Sequence, residues 1–171
     1  MHPFRPKKKR GRVAIEMTRY FKQDFRRVGH AIRAVRYAEQ IEREEGGNFV
    51  VILCAAYLHG IGIKEAERKH DSTATKYQEE EGAPIARKIL NRLGAKEELI
   101  DEVCDIVGHH HQPKEKDTVH YKSLYDAALI TNLEEKREAL NAGFPGKFHP
   151  IINGCGSFTF SLTIGVLLGS N

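Results

Sequence analysis

The chain has 171 residues, 40% hydrophobic and 29% charged, which suits one soluble domain with a real core. Its net charge is only +4, from 27 Lys and Arg against 23 Asp and Glu, and much of that excess lies in the first twelve residues. Three cysteines, Cys54, Cys104 and Cys155, make an odd number without a CxxC pair. They read as core packing in a reducing, cytoplasmic setting, not as a disulfide framework.

Residues 1–19 carry Arg5, Lys7, Lys8, Lys9, Arg10 and Arg12. With no apolar h-region this is not a secretory signal. It has no aromatic interleaving either, so it reads as a solvated basic arm, and nucleic acid is not the expected partner. Residues 24–45 have helical periodicity, with Val28, Ile32, Val35, Ala38 and Ile41 on one stripe, and Gly46-Gly47 stops them. Asn48 caps a helix over 49–59 that is apolar nearly all round and therefore central. Residues 60–75 are polar and read as a loop. Helices follow over 77–93, with Gly94 as stop, and over 96–109, with Glu97, Glu98, Asp101 and Glu102 toward its N-terminal end. Pro113 closes a histidine run, and a last long helix covers 119–141.

No alternating strand pattern appears, so the class is all-α, a helical bundle over 20–141. Residues 142–171 form an uncharged, glycine-rich tail. Its apolar stretch, Ile164 to Leu168, is far too short for a membrane span, so the tail is expected to be poorly ordered or covered by a partner.

His30, His59 and the run His109-His110-His111 fall at the edges or ends of apolar helices, and Asp126 lies on the last one. Imidazoles and a carboxylate converging in a bundle core can hold a divalent ion. A lone histidine in such a place is more often a satisfied core or surface residue, so convergence decides the matter. Arg27, three residues before His30 and on nearly the same face, suits either a substrate phosphate or a surface ion pair. Lys76 is a second candidate phosphate contact, with solvation as its default.

The segments Arg26-Arg27-Val28-Gly29-His30, Ala55-Ala56-Tyr57-Leu58-His59-Gly60-Ile61-Gly62, Gly108-His109-His110-His111 and Leu124-Tyr125-Asp126-Ala127-Ala128-Leu129 resemble, in order and spacing, the HD-domain superfamily of metal-dependent phosphohydrolases. The resemblance covers roughly residues 20–135, and Glu81-Gly82-Ala83-Pro84-Ile85-Ala86 is similar to a helix start of that family.

It implies an HD-domain helical bundle and hydrolysis of a phosphate ester or anhydride in a small phosphorylated molecule or nucleotide. It also implies a divalent metal (Mn, Mg, Fe, Zn, Co or Ni). The implied ligands are a histidine (His30), a His-Asp doublet and a later aspartate. The doublet histidine is His59, but its aspartate falls on Gly60. The later aspartate falls on Ala128, and Asp126 stands two residues earlier, about 200° away around a helix. Two carboxylates are therefore missing. The remaining candidates are His30, His59 and Asp126 for metal, with Arg27, Lys76, His109 and His110 for catalysis. The alternative is a catalytically inactive module binding a phosphate-bearing ligand. The lost ligands and the altered tail also fit a decaying gene copy with a shifted reading frame. No oligomeric state follows from the sequence.

Overall fold

The computed structural model describes residues 7–112, 118–143, 149–152 and 158–161. Pro113, Cys155 and most of the 142–171 tail lie outside the described residues. By packing, the chain divides into two compact units, Met1–Thr131 and Asn132–Asn171. The fold is all-α: α1 Lys7–Phe21, α2 Phe25–Glu45, α3 Phe49–Leu58, α4 Ile63–His70, α5 Thr75–Arg92, α6 Glu97–Val107 and α7 Val119–Gly143.

Helix α3 is the axis of the first unit. Every residue from Val51 to Leu58 is buried, and α1, α2 and α6 pack around it. Each large apolar side chain buried in this way stabilises the fold by about 1.5–3 kcal/mol. Asn48 caps α3 as its sequence position suggests, its side chain accepting the Val50 N–H at 3.0 Å. The preceding turn needs its two glycines, since Gly46 and Gly47 have φ of 76° and 112°. His120 closes this corner: its Nε2 accepts the Asn48 N–H at 2.7 Å and its Nδ1 bonds Glu102.

Three expectations change in the first unit. From Lys7 the basic segment forms the helix Lys7–Phe21 rather than an arm. Val13, Met17 and Phe21 recur at i, i+4 and i+8, and all three are buried in the core. Buried Glu16 fastens this helix to α5, accepting hydrogen bonds from Arg19 at 2.6 Å and Arg92 at 3.0 Å. The expected loop 60–75 contains α4, whose charged residues hide a short amphipathic helix with Ala66 buried. Ile32, expected on the buried stripe of α2, is 53% exposed; Ala31, Ala34, Val35, Tyr37 and Ala38 form that face instead.

In the second unit, β1 His149–Ile152 pairs antiparallel with β2 Phe158–Ser161, placing His149 opposite Ser161 and Ile152 opposite Phe158. The sequence reading expected no strand here. Its glycine-rich composition hid two short segments of β-branched and aromatic residues, too short to show a clear alternation. Cys54 and Cys104 are buried free thiols, as expected of core cysteines.

Candidate functional site

Helices α2 and α3 run side by side, and this brings together two histidines 29 residues apart: the Nε2 atoms of His30 and His59 are 3.0 Å from each other. His59 follows the last residue of α3 and is buried. Its Nδ1 lies 2.8 Å from the Ala56 carbonyl oxygen, so Nδ1 carries the proton. Neutral His59 therefore keeps a lone pair on Nε2 and accepts there from His30.

The turn after α6 supplies a third imidazole, His110, which is buried like that of His59. The His110 ring meets that of His59 edge-on, with centroids 5.4 Å apart. Its Nδ1 donates to the Val107 carbonyl at 2.9 Å, which leaves its Nε2 lone pair toward the cluster. Tyr121 braces this turn: its hydroxyl lies 2.6 Å from the His109 carbonyl oxygen and 2.5 Å from that of Gln112. Burial, then the neighbouring imidazoles, holds both rings neutral. His59 is lowered to about 3, and His110 falls well below its ordinary value.

Sequence reasoning missed Glu79. This residue of α5 is only 9% exposed, and its Oε1 accepts the His111 backbone N–H at 2.9 Å and faces the His111 Nδ1 at 3.1 Å. The His110 and His111 rings are 3.9 Å apart. Each of Glu79, His110 and His111 offers one donor atom, and these atoms lie within 4.8 Å of one another.

Two glycines bring Glu79 close. A Cβ on Gly62 would sit 2.1 Å from the Gln78 carbonyl oxygen and 2.5 Å from the Gly82 nitrogen. The backbone after His59 can therefore touch α5 only without a side chain. Gly62 reads from sequence as a flexible point. It has ordinary helical φ and ψ of −76° and −15°, so its role is close approach. The signal was in the sequence as Gly62 and Gly82, but their contact is not.

The other candidates lie apart from the imidazoles or are already engaged. Asp126 is exposed. Partial burial and then the Glu45 carboxylate raise its pKa. Glu45 ends α2, fifteen residues beyond His30 and so about 22 Å along the helix. Asp126 thus does not join the imidazoles, and Ala128 is buried with only a methyl group. Arg27 forks between Asp24 at 2.8 Å and Glu67 at 2.5 Å. Lys76 is exposed, 5.8 Å from the Tyr77 ring centroid. It lies one turn before Glu79. His109 points outward, its Nδ1 donating to the Asp105 carbonyl at 2.8 Å.

The metal set implied by the resemblance therefore does not fit in full: two imidazoles are in place, and neither carboxylate position has one. A Cβ on Gly60 would meet nothing within 4 Å, so the missing side chain leaves room. The donors that do converge are nitrogens and the Glu79 carboxylate.

The profile of the HD domain family matches residues 27–141, well over half of the chain. The fold is similar to a crystal structure described as a predicted HD superfamily hydrolase from an uncultured Thermotogales bacterium. The identity is 22% and the TM-score 0.54, over 74% of this chain and 75% of the other. Among curated proteins no relative matches the chain.

Proposed function

The chain belongs to the HD domain family, and from that premise we propose that it is a metal-dependent phosphohydrolase acting on a phosphate ester or anhydride of a small molecule such as a nucleotide. The observation that carries this reading is the convergence of His30, His59 and His110, with the Nδ1 atoms of the last two held by backbone carbonyls. An imidazole whose one nitrogen is pinned presents the other as an oriented donor, the arrangement in which histidine ligates metals. Burial keeps His59 and His110 uncharged near neutrality, so they do not repel a cation.

Imidazole-rich donor sets favour Zn, Fe, Co, Ni or Mn over Mg. When bound, such an ion polarises a phosphate oxygen and lowers the pKa of its water. The chain's own residues then position the substrate. Lys76, at the surface one turn before Glu79, is the better-placed phosphate contact. Arg27 would have to exchange Asp24 or Glu67 for a phosphate. His59 and His110, neutral down to low pH, are poor proton donors to a leaving group.

A second reading, a phosphate-binding module without turnover, is favoured by Gly60 and Ala128, which deprive the family positions of charge compensation. Phosphate release from nucleotides and sugar phosphates, measured with Mn²⁺, Co²⁺ or Zn²⁺, decides between the two. Chelator-sensitive release that disappears in His59→Ala supports the hydrolase. Thermal stabilisation by nucleotides that ignores chelator, without release, supports the binding module. The cytoplasmic setting belongs to the same proposal and accords with the free thiols of Cys54 and Cys104.

A further inference from the structure

We propose that the cavity between α1, α4 and α5 is a second ligand site, for a small amphipathic anion with an apolar aryl or alkyl body and a single anionic head. The site is additional to the imidazole cluster and does not depend on the metal-dependent reading above. Its volume is about 700 Å³, within the range of about 300–1,000 Å³ usual for small-molecule sites.

Each of the three helices turns one face to the cavity. On α5, Glu81, Ile85, Lys88 and Arg92 follow one another at spacings of three and four residues. Helix α1 gives Glu16 and Tyr20, and α4 gives Glu65 and Lys69, again four apart. Along α5 this stripe runs about 16 Å. Glu81 lies two residues from Glu79, about 200° around the helix, so the cavity opens on the side of α5 turned away from His111.

Charge decides the sign of the ligand. Four cations, Arg19, Lys69, Lys88 and Arg92, line the cavity with three carboxylates, and every carboxylate is already engaged. Buried Glu16 accepts from Arg19 and Arg92, Glu81 holds Lys69 and His70, and Glu65 accepts from Arg68 through both oxygens. Arg19 and Arg92 meet on one carboxylate, yet their side chains stay 72% and 70% exposed. Lys88 stands one turn before Arg92 and has no hydrogen bond or ion pair among the described residues. Three cationic groups thus share one end of the cavity with a single carboxylate, and an anionic head there completes their pairing.

The walls decide the body of the ligand. Ile89 is 5% exposed, and Tyr20, Pro84 and Ile85 line the cavity beside it. The Tyr20 phenol is pushed up to about 12 by burial and then by Glu65, so it stays neutral. A nucleobase and ribose would bring donors and acceptors to walls whose carboxylates are taken, and polar groups buried without partners are costly. An aryl or alkyl body brings none.

The test titrates anilinonaphthalene sulfonate, an aryl body with one anionic head, into the full chain, read by its fluorescence with EDTA present throughout. N-phenylnaphthylamine, the same body without the sulfonate, is the neutral control. The chain is expected to take one equivalent of the sulfonate. Lys88→Glu should weaken that binding about tenfold or more. Lys122→Glu, the same charge change at an exposed position of α7 outside the cavity, should stay within about twofold. The neutral probe should bind wild type and Lys88→Glu alike. Near-UV circular dichroism checks that each variant folds; if Lys88→Glu does not, Lys88→Ala serves, with an expected weakening of about threefold. Absence of saturable binding overturns the site, as does equal weakening by the two charge reversals or equal loss of both probes in Lys88→Glu. Octanoate should displace the sulfonate probe, and displacement by AMP alone overturns the assigned ligand class. No metal or phosphate release takes part, so failure here leaves the hydrolase reading standing, and failure of that reading leaves this site.

Discussion

His30 and His59 share a hydrogen bond between their Nε2 atoms, 3.0 Å apart, where the family resemblance expects a metal ion between them. The contact shows how the fold handles two missing carboxylates. One imidazole donates to the other, and burial keeps His59 neutral. The pocket survives as a cluster of imidazoles.

That cluster makes stability depend on pH. In the unfolded chain histidines take up protons below about pH 6.5. In the fold His59 resists protonation down to about 3, and His110 is held well below its ordinary value too. Between those limits the unfolded state binds more protons. Stability from this source is therefore complete above about pH 6.5 and falls as pH drops, by about 1.4 kcal/mol per pH unit for each imidazole. Urea unfolding from pH 7.5 to 4.5 measures the slope. His59→Asn should remove about one imidazole's share of it; an unchanged slope contradicts the assignment.

Gly62→Ala should be severely destabilising. Its Cβ would collide with backbone atoms of Gln78 and Gly82, which cannot rotate away, so a loss of about 3 kcal/mol is expected, at the upper end for overpacking. Gly60→Ala, whose Cβ meets nothing within 4 Å, should cost about 1 kcal/mol or less. Chemical denaturation of the two variants side by side reads the difference, and equal losses would show that the α5 contact is not tight.

Met17→Ala tests whether the first helix belongs to the core. Met17 is fully buried between residues of a helix that composition alone assigns to a basic arm. Its truncation should cost about 2–5 kcal/mol. A change below about 0.5 kcal/mol would return the segment to the solvent.

Gly60→Asp combined with Ala128→Asp restores the family's two carboxylates. The space at Gly60 accommodates the new side chain, and the His30–His59 side then gains charge compensation. We expect Mn²⁺ affinity to rise about tenfold or more and phosphate release to increase. Improved metal binding without faster release would mean that the substrate contacts, rather than the ligands, limit this chain.

Much of the bundle was legible because helix signals are local. The apolar run 50–58, the Asn48 cap and the Gly46-Gly47 and Gly94 stops each declare themselves within a few residues. Helix α1 was obscured because its six basic residues outweighed the Val13, Met17, Phe21 stripe. Helix α4 was obscured because eight residues carry too few apolar positions to show a period. At the site, His30, His59 and His110 were legible from their places at the ends and edges of apolar helices. Glu79 was not, since one glutamate among Glu79, Glu80 and Glu81 looks like solvated charge. Its burial comes from long-range packing of α5, including the close approach of Gly62 to Gly82, and from its bonds to His111.

Anomalous diffraction from crystals soaked in Zn²⁺, collected at the zinc edge, tests the central claim most directly. The account predicts a peak about 2.0–2.2 Å from ring nitrogens of the His30, His59 and His110 cluster. No peak at that cluster in zinc-soaked crystals would contradict it.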